Sequence, residues 1–185
     1  MSGGAGTPVS EQAGLPRVGE HGALSAGKAV SFSPKAMARF EKLLTRYPTK
    51  QAALLPTLWI AQEELGWISR EAVDYVASLL GLSPAFVWGV TTFYTMYNRA
   101  PVGKHLIQFC TSISCHLAGA EEVFAECRKR LGDLKPGETT ADGRFTVIEV
   151  ECLAQCDKAP AVMVNDDDCA IITKENLEQF LGGLK

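Results

Sequence analysis

Lys104-His-Leu-Ile-Gln-Phe-Cys-Thr-Ser-Ile-Ser-Cys115 decides how the second half of this chain is read. Lys104 to Phe109 is a short apolar run of strand character, and it delivers Cys110 at its end, with Cys115 close behind. The same arrangement returns at Phe145 to Val150, a second strand, which is followed by Cys152-Leu-Ala-Gln-Cys156. Between the strands, Leu117, Ala120, Val123, Phe124, Cys127 and Leu131 recur along one helix face, and Gly132 ends the run. A helix that links two strands of one sheet is a crossover, so the strands run parallel and end on the same edge, roughly 5 Å apart per strand spacing. The two cysteine pairs are therefore expected to converge beyond the carboxyl ends of parallel strands, where α/β folds commonly place ligands.

Beyond Cys156, Ala161 to Val164 and Cys169 to Ile172 read as a hairpin across Asn165 to Asp168, and Lys174 to Leu181 as a closing helix before Gly182-Gly183. The order β-α-β-β-β-α predicts an α/β domain with one mixed sheet. Upstream, the periodicity is helical. Ser33-Pro34 opens a run through Met37, Phe40, Leu43, Leu44 and Tyr47 that Pro48 stops, and Leu54, Leu58, Ala61 and Leu65 form a second stripe ended by Gly66. Ser69 caps a third helix through Val73, Val76, Ala77 and Leu80, and Ser83-Pro84 opens a short fourth through Phe86, Val87 and Val90. The chain thus reads as a flexible tail over 1–32, a small helical bundle over 33–100 and the α/β domain over 101–185.

Charge and cysteine content follow the same division. Phe32 to Ala100 holds seven basic and five acidic residues and no cysteine; Pro101 to Lys185 holds nine basic and 14 acidic residues and all six cysteines. A formal charge of -3 excludes a protein that binds nucleic acid by neutralising phosphates. The apolar run Ala52 to Ala61 is interrupted by Pro56 and Thr57 and falls far short of the roughly 20 residues of a membrane span. The tail, with seven of the 17 glycines, has neither a secretory nor a mitochondrial leader pattern. That favours a bacterial cytoplasm, where clustered cysteines serve metals or redox chemistry more than structural disulfides.

Four converging thiolates suit a 2Fe-2S cluster or a structural zinc; the intervals of four and three residues favour loops around a flatter two-iron core but overlap the zinc range, and a redox dithiol or unrelated thiols are the remaining alternatives. The thioredoxin C-x-x-C is absent, because Ile113 stands three after Cys110, and a plant-type ferredoxin run would need cysteine at Ala118. Nothing in the chain points to catalysis on a substrate: there is no G-x-G-x-x-G after a strand, no Walker loop, no G-x-S-x-G and no H-E-x-x-H.

Phe109-Cys-Thr-Ser-Ile-Ser-Cys-His-Leu-Ala-Gly119 and Glu151-Cys-Leu-Ala-Gln-Cys-Asp-Lys-Ala-Pro160, followed by Val162-Met-Val-Asn165, resemble the thioredoxin-like 2Fe-2S subunit family of respiratory complex I. Leu65-Gly-Trp-Ile-Ser69 and Thr92-Phe-Tyr-Thr-Met-Tyr97 resemble that family's signatures ahead of its cluster domain. The resemblance runs from about Ser33 to the C-terminus. It implies a thioredoxin-like cluster domain in which Cys110 and Cys115 hold one iron and Cys152 and Cys156 the other, of one 2Fe-2S cluster. It further implies electron exchange with the FMN of an NADH-oxidising flavoprotein, a second partner in the large multi-cluster iron-sulfur subunit, and a place in the peripheral arm on the cytoplasmic face of the bacterial inner membrane. The same module serves in NAD-linked hydrogenases and formate dehydrogenases. Two positions depart from the family pattern: Ala154, where glycine is frequent, and Cys169, where an aromatic residue is usual.

The remaining residues have plainer readings. Cys127 on the apolar helix face is expected in the core, as is Cys169. His116 either faces the cluster or caps a helix, and His105 is expected at the surface. Phe93, Tyr94 and Tyr97 are expected to pack in the core, and Asp166, Asp167 and Asp168 to form a solvated turn.

Overall fold

Serine begins three of the four helices in the first half of the molecule, and the reason is the unpaired amides of a helix's first turn. In the computed structural model, which describes residues 30–167 and 169–184, the hydroxyls of Ser33, Ser69 and Ser83 accept from the backbone N–H groups of Ala36, Ala72 and Phe86 at 3.2, 3.1 and 3.2 Å. They open α1 (Pro34–Leu44), α3 (Arg70–Leu80) and α4 (Pro84–Phe93). α2 (Leu54–Leu65) carries Pro56 in its first turn, where the missing N–H has no helical partner to lose. Gly66 (φ 84°) and Gly81 (φ 65°) end α2 and α3 in backbone that a side chain would strain. The expected tail falls, up to residue 29, outside the described residues, as does Asp168.

The chain divides into two units between Val102 and Gly103. In the helical unit Leu58, Ile68, Val76, Leu80 and Val87 are wholly enclosed. α1 stops at Leu44, one turn earlier than expected, and Tyr47 is exposed, because Pro48 disfavours helical backbone in the residue before it. The three aromatics expected in the core also separate. Tyr97 is buried, its hydroxyl donating to the Leu55 carbonyl at 2.9 Å, but Phe93 is 77% exposed. The cause is local: α4 ends at Phe93 and the backbone at Tyr94 is extended, so Phe93 and Tyr97 share no helical face. Buried Gln62 holds the segment after α4 by donating to the Met96 carbonyl at 3.0 Å and accepting from the Asn98 N–H at 2.6 Å.

In the second unit the strands are β1 (His105–Cys110), β2 (Phe145–Val150), β3 (Ala161–Val164) and β4 (Ala170–Ile171). Their order across the sheet is β2-β1-β3-β4. β1 and β2 are parallel, paired from His105 with Phe145 to Cys110 with Val150; β3 is antiparallel to β1, and β4 to β3. The sheet is mixed, as the sequence predicts. The single helix expected between β1 and β2 is two, α5 (Ile113–Leu117) and α6 (Ala120–Arg130). Gly119 at φ 89° breaks the run, and Leu117 is 79% exposed and so not on the core face. α6 and α7 (Leu177–Gly183) supply Val123, Phe124, Cys127 and Leu177 to a core with Ile107, Phe109, Phe145, Val147 and Val162. α7 begins three residues later than expected and includes both glycines. His105 is buried, not at the surface, with its ring 5.5 Å from that of Phe145.

Gly103 leads into β1 and donates its N–H to the Thr146 hydroxyl at 2.7 Å. A Cβ there would lie 2.9 Å from both the nitrogen and the carbonyl carbon of Phe145, backbone atoms held in β2. Gly103→Ala is therefore expected to destabilise the sheet unit by about 1–3 kcal/mol, the range for overpacking. Urea unfolding followed by amide exchange on β1 checks this; an unchanged midpoint would show that the strand entrance has room to shift.

Candidate functional site

The parallel pairing of β1 and β2 brings the cysteines together. Cys110 is the last residue of β1, and Cys115 lies within α5, in the chain's next turn. Cys152 follows the end of β2, and Cys156 opens a single 3-10 turn, Cys156–Lys158. Cys110 and Cys115 are buried against Ala120 and Ala161, whereas Cys152 and Cys156 are exposed. The site thus has an enclosed half and an open half.

Backbone amides serve the sulfurs. The Ala161 N–H donates to Cys115 Sγ at 3.5 Å, and the Ala154 N–H donates to Cys152 Sγ at 3.3 Å. Burial works against ionising Cys110, yet the amides of Leu153 and Ser112 and the thiols of Cys115 and Cys152 outweigh it and hold its pKa below the ordinary value. Cys115 moves the other way: burial raises its pKa, and the neighbouring Cys110 and Cys156 add to the rise against the Ala161 amide. Cys110 thus lies within hydrogen-bond reach of Cys115 and Cys152, and Cys115 within electrostatic reach of Cys156, contacts that link the two pairs.

The donor set also bears on which metal group fits. Among the described residues no three His, Cys, Asp or Glu side chains close on a single ion. A mononuclear zinc needs four ligands around one point, whereas a 2Fe-2S core takes two thiolates at each of two irons and supplies the remaining sulfur itself. Two pairs of thiols, one enclosed and one open, with amides aimed at sulfur, fit the binuclear group.

Backbone donors around the sulfurs are expected from sequence, but which amides supply them is not. Those of Ser112, Leu153 and Ala154 sit in the cysteine loops themselves, so the loops' brevity was the one signal that could have found them. Ala161 arrives only because β3 pairs with β1, which spacing does not reveal. Ala154 has φ 55°, in the left-handed region that glycine adopts without strain. Ala154→Gly is expected to raise the stability of the cluster-free chain by up to about 1 kcal/mol while keeping the amide at Cys152. A lower urea midpoint would contradict that.

His116 is exposed in α5 with Nδ1 3.6 Å from the Glu121 carboxylate, and it caps no helix. It shares with Cys110, Phe124 and Glu149 a small cavity of about 150 Å³ on the helix side of β1. Burial, opposed by Arg128 and reinforced by Glu121, raises the Glu149 pKa. Cys127 is fully enclosed, as expected, and burial pushes its thiol up to about 12 from an ordinary 9.0. Cys169 is half-buried and packs beside the enclosed cysteines, closer to the site than the sequence suggested.

The Cys127 thiol has a pH consequence. The fold favours its neutral form, so the stability tied to it is complete below about pH 9 and is lost as pH rises towards about 12. Cys127→Ala is expected to flatten the alkaline limb of a stability profile between those values; an identical limb in both proteins would assign it to other groups.

Comparison with known proteins gives a match to the family described as thioredoxin-like [2Fe-2S] ferredoxin over residues 40–185. The chain is 40% identical over 157 residues to the mitochondrial NADH dehydrogenase [ubiquinone] flavoprotein 2 of Dictyostelium discoideum, covering 83% of this chain and 63% of that one. It is 39% identical over 158 residues to an NADH-quinone oxidoreductase subunit of Rickettsia bellii, covering 84% and 94% respectively. With NADH-quinone oxidoreductase subunit 2 of Thermus thermophilus it shares 42% identity over 150 residues, covering 78% and 81%. Among solved structures, an air-oxidised NAD+-reducing [NiFe]-hydrogenase superposes with a TM-score of 0.62 at 21% identity, over 71% of this chain and 22% of the other, a likeness of fold alone.

Proposed function

Since the chain belongs to the thioredoxin-like [2Fe-2S] ferredoxin family, we propose that it is an electron-transfer subunit of NADH:quinone oxidoreductase, holding one 2Fe-2S cluster on Cys110, Cys115, Cys152 and Cys156. Its redox partner is a flavoprotein subunit that binds NADH and FMN, and a large multi-cluster iron-sulfur subunit of the same complex is its second neighbour. Among the described residues no single helix is long and apolar enough to cross a membrane, which accords with a place in the peripheral arm, on the cytoplasmic face of the bacterial inner membrane. The observation that carries the reading is the delivery of four thiols, in two pairs, to one edge of a sheet by neighbouring parallel strands.

A 2Fe-2S cluster, when bound, gains and releases one electron at a time, at a potential set by charge, hydrogen bonds to sulfur and exposure. The residues of this chain divide the remaining work. Cys110 and Cys115, with Ala120 and Ala161, form the wall that keeps water from one side. Exposed Cys152 and Cys156 leave the other side open to a redox partner. The amides of Ala154 and Ala161 place positive dipole ends at two sulfurs, which offsets negative charge there without adding a formal charge. NADH oxidation itself belongs to the partner.

Metal and sulfide analysis of anaerobically prepared chain tests this directly. The expected content is about two irons and two acid-labile sulfides per chain, with an EPR signal that appears on reduction. One zinc per chain and no visible absorption would sink the proposal.

A further inference from the structure

From Tyr75 to Asn98 the helical unit contains no charged residue. α4 lies inside that stretch, yet only Val87 and Thr91 of its ten residues are buried. Phe86, Gly89, Val90 and Phe93, at i, i+3, i+4 and i+7, make a stripe on its outer side, with Phe86 41% and Phe93 77% exposed. A groove of about 420 Å³ runs beside this stripe, floored by Leu54, Leu55 and Val90 and bounded by Tyr94, Thr49 and Gln51. Its aromatic wall is braced, because the rings of Phe93, Tyr94, Tyr97 and Trp59 meet edge to face in sequence at 5.0, 6.5 and 5.9 Å.

The charge beside the groove has one sign. Lys50 lies between the lining residues Thr49 and Gln51, Arg46 precedes it by four, and both are exposed. No acidic residue occurs between Glu41 and Glu63, and none pairs with either cation among the described residues.

We propose that this groove docks an amphipathic helix of another protein, apolar along one face and flanked by Asp or Glu. The recognition is separate from the redox reading and does not rest on it. The depression is open, and its apolar base of Leu54, Leu55 and Val90 beside the α4 stripe suits the apolar ridge of a helix. Lys50 and Arg46, which pair with no acid among the described residues, favour carboxylates at the flank. A second copy of this chain offering its own α4 would bring no carboxylate, since that helix has none. Gly89 sits midway along the stripe, with nothing within 4 Å of the point where a Cβ would stand, so a neighbouring helix finds no side chain in its way there.

The same open space makes Gly89 the place to test the idea without harming the fold. The full cluster-loaded chain is titrated, by fluorescence anisotropy, with a synthetic helical peptide of about 18 residues carrying a leucine stripe flanked by glutamates, and with its lysine-flanked counterpart. The glutamate peptide is expected to bind roughly tenfold more tightly or better than the lysine one. Gly89→Glu should weaken it by a further tenfold or so, whereas Gly89→Lys should not, with circular dichroism confirming both folds. Equal binding of the two peptides, binding of neither, or indifference to the sign at position 89 would overturn the proposal. So would a concentration-dependent dimer that Phe93→Glu dissolves, which assigns the face to a second copy, or adsorption to phosphatidylglycerol vesicles in place of peptide binding, which assigns it to a membrane.

Discussion

Cys110→Ser is expected to reduce bound iron from about two per chain to near none and to abolish the EPR signal that appears on reduction, given the all-cysteine ligation of such clusters. Cys110 is the fixed point of the site. It ends β1, it is bonded through its strand to both β2 and β3, and its sulfur lies enclosed within reach of Cys115 and Cys152. A serine oxygen is a harder donor and is shorter by a fraction of an ångström, and the rigid strand cannot move to compensate. Cys156→Ser should be milder. Cys156 opens a single exposed 3-10 turn, so its loop has the freedom to bring an oxygen to the metal, and a residual, spectrally shifted centre is expected there. Iron content measured on both variants, alongside a circular dichroism spectrum to establish the fold, checks the order. Full iron in Cys110→Ser would remove Cys110 from the ligand set, and equal loss in both variants would remove the distinction between enclosed and open halves.

The second large effect concerns the residue before that cysteine. Phe109 is 1% exposed and meets the ring of Phe124 edge to face at 5.3 Å, so it joins β1 to α6. Phe109→Ala should cost about 3–5 kcal/mol, through lost burial and a cavity that the strand pairs on either side keep from collapsing. A domain of this size has only about 5–15 kcal/mol in hand, so the cluster-free sheet unit should be close to unfolded in water. A bound cluster stabilises only the native state, so loading should recover part of the loss. Trp59, Trp67 and Trp88 all lie in the helical unit, so their fluorescence does not follow this change; amide exchange on β1 does. As a contrast, Phe93→Ala, at a ring 77% exposed, should stay within about 0.5 kcal/mol. Similar losses in the two variants would mean that burial is a poor guide here.

The parallel pairing of β1 and β2, and hence the meeting of the cysteines, was legible because a crossover helix leaves a chain little other choice. The mixed sheet and the serine caps were legible for equally local reasons. The break at Gly119 was not. Leu117 continues the apolar period of α6 in sequence, and only the left-handed backbone of Gly119 turns it outward. Nor was the burial of His105, whose cover comes from Phe145, a residue forty positions away on the neighbouring strand. The Ala161 amide that serves Cys115 depends on strand order, on which composition and spacing are silent. Phe93 shows the converse: an aromatic residue reads as core in sequence, and its exposure follows from where one short helix happens to end.

The parallel join of β1 to β2 also orders events in time. Cys110 and the carbonyl of Glu151, 3.9 Å apart in the fold, stand 41 residues apart along the chain. The four helices of the first half rest on neighbouring segments, whereas this contact requires a long loop to close and is expected to form later. Until then each cysteine pair is a separate dithiol, able to take up a metal but not to share one. Assembly of the complete site therefore requires this long-range closure, and metal delivered before it would meet a chain able to bind it in halves.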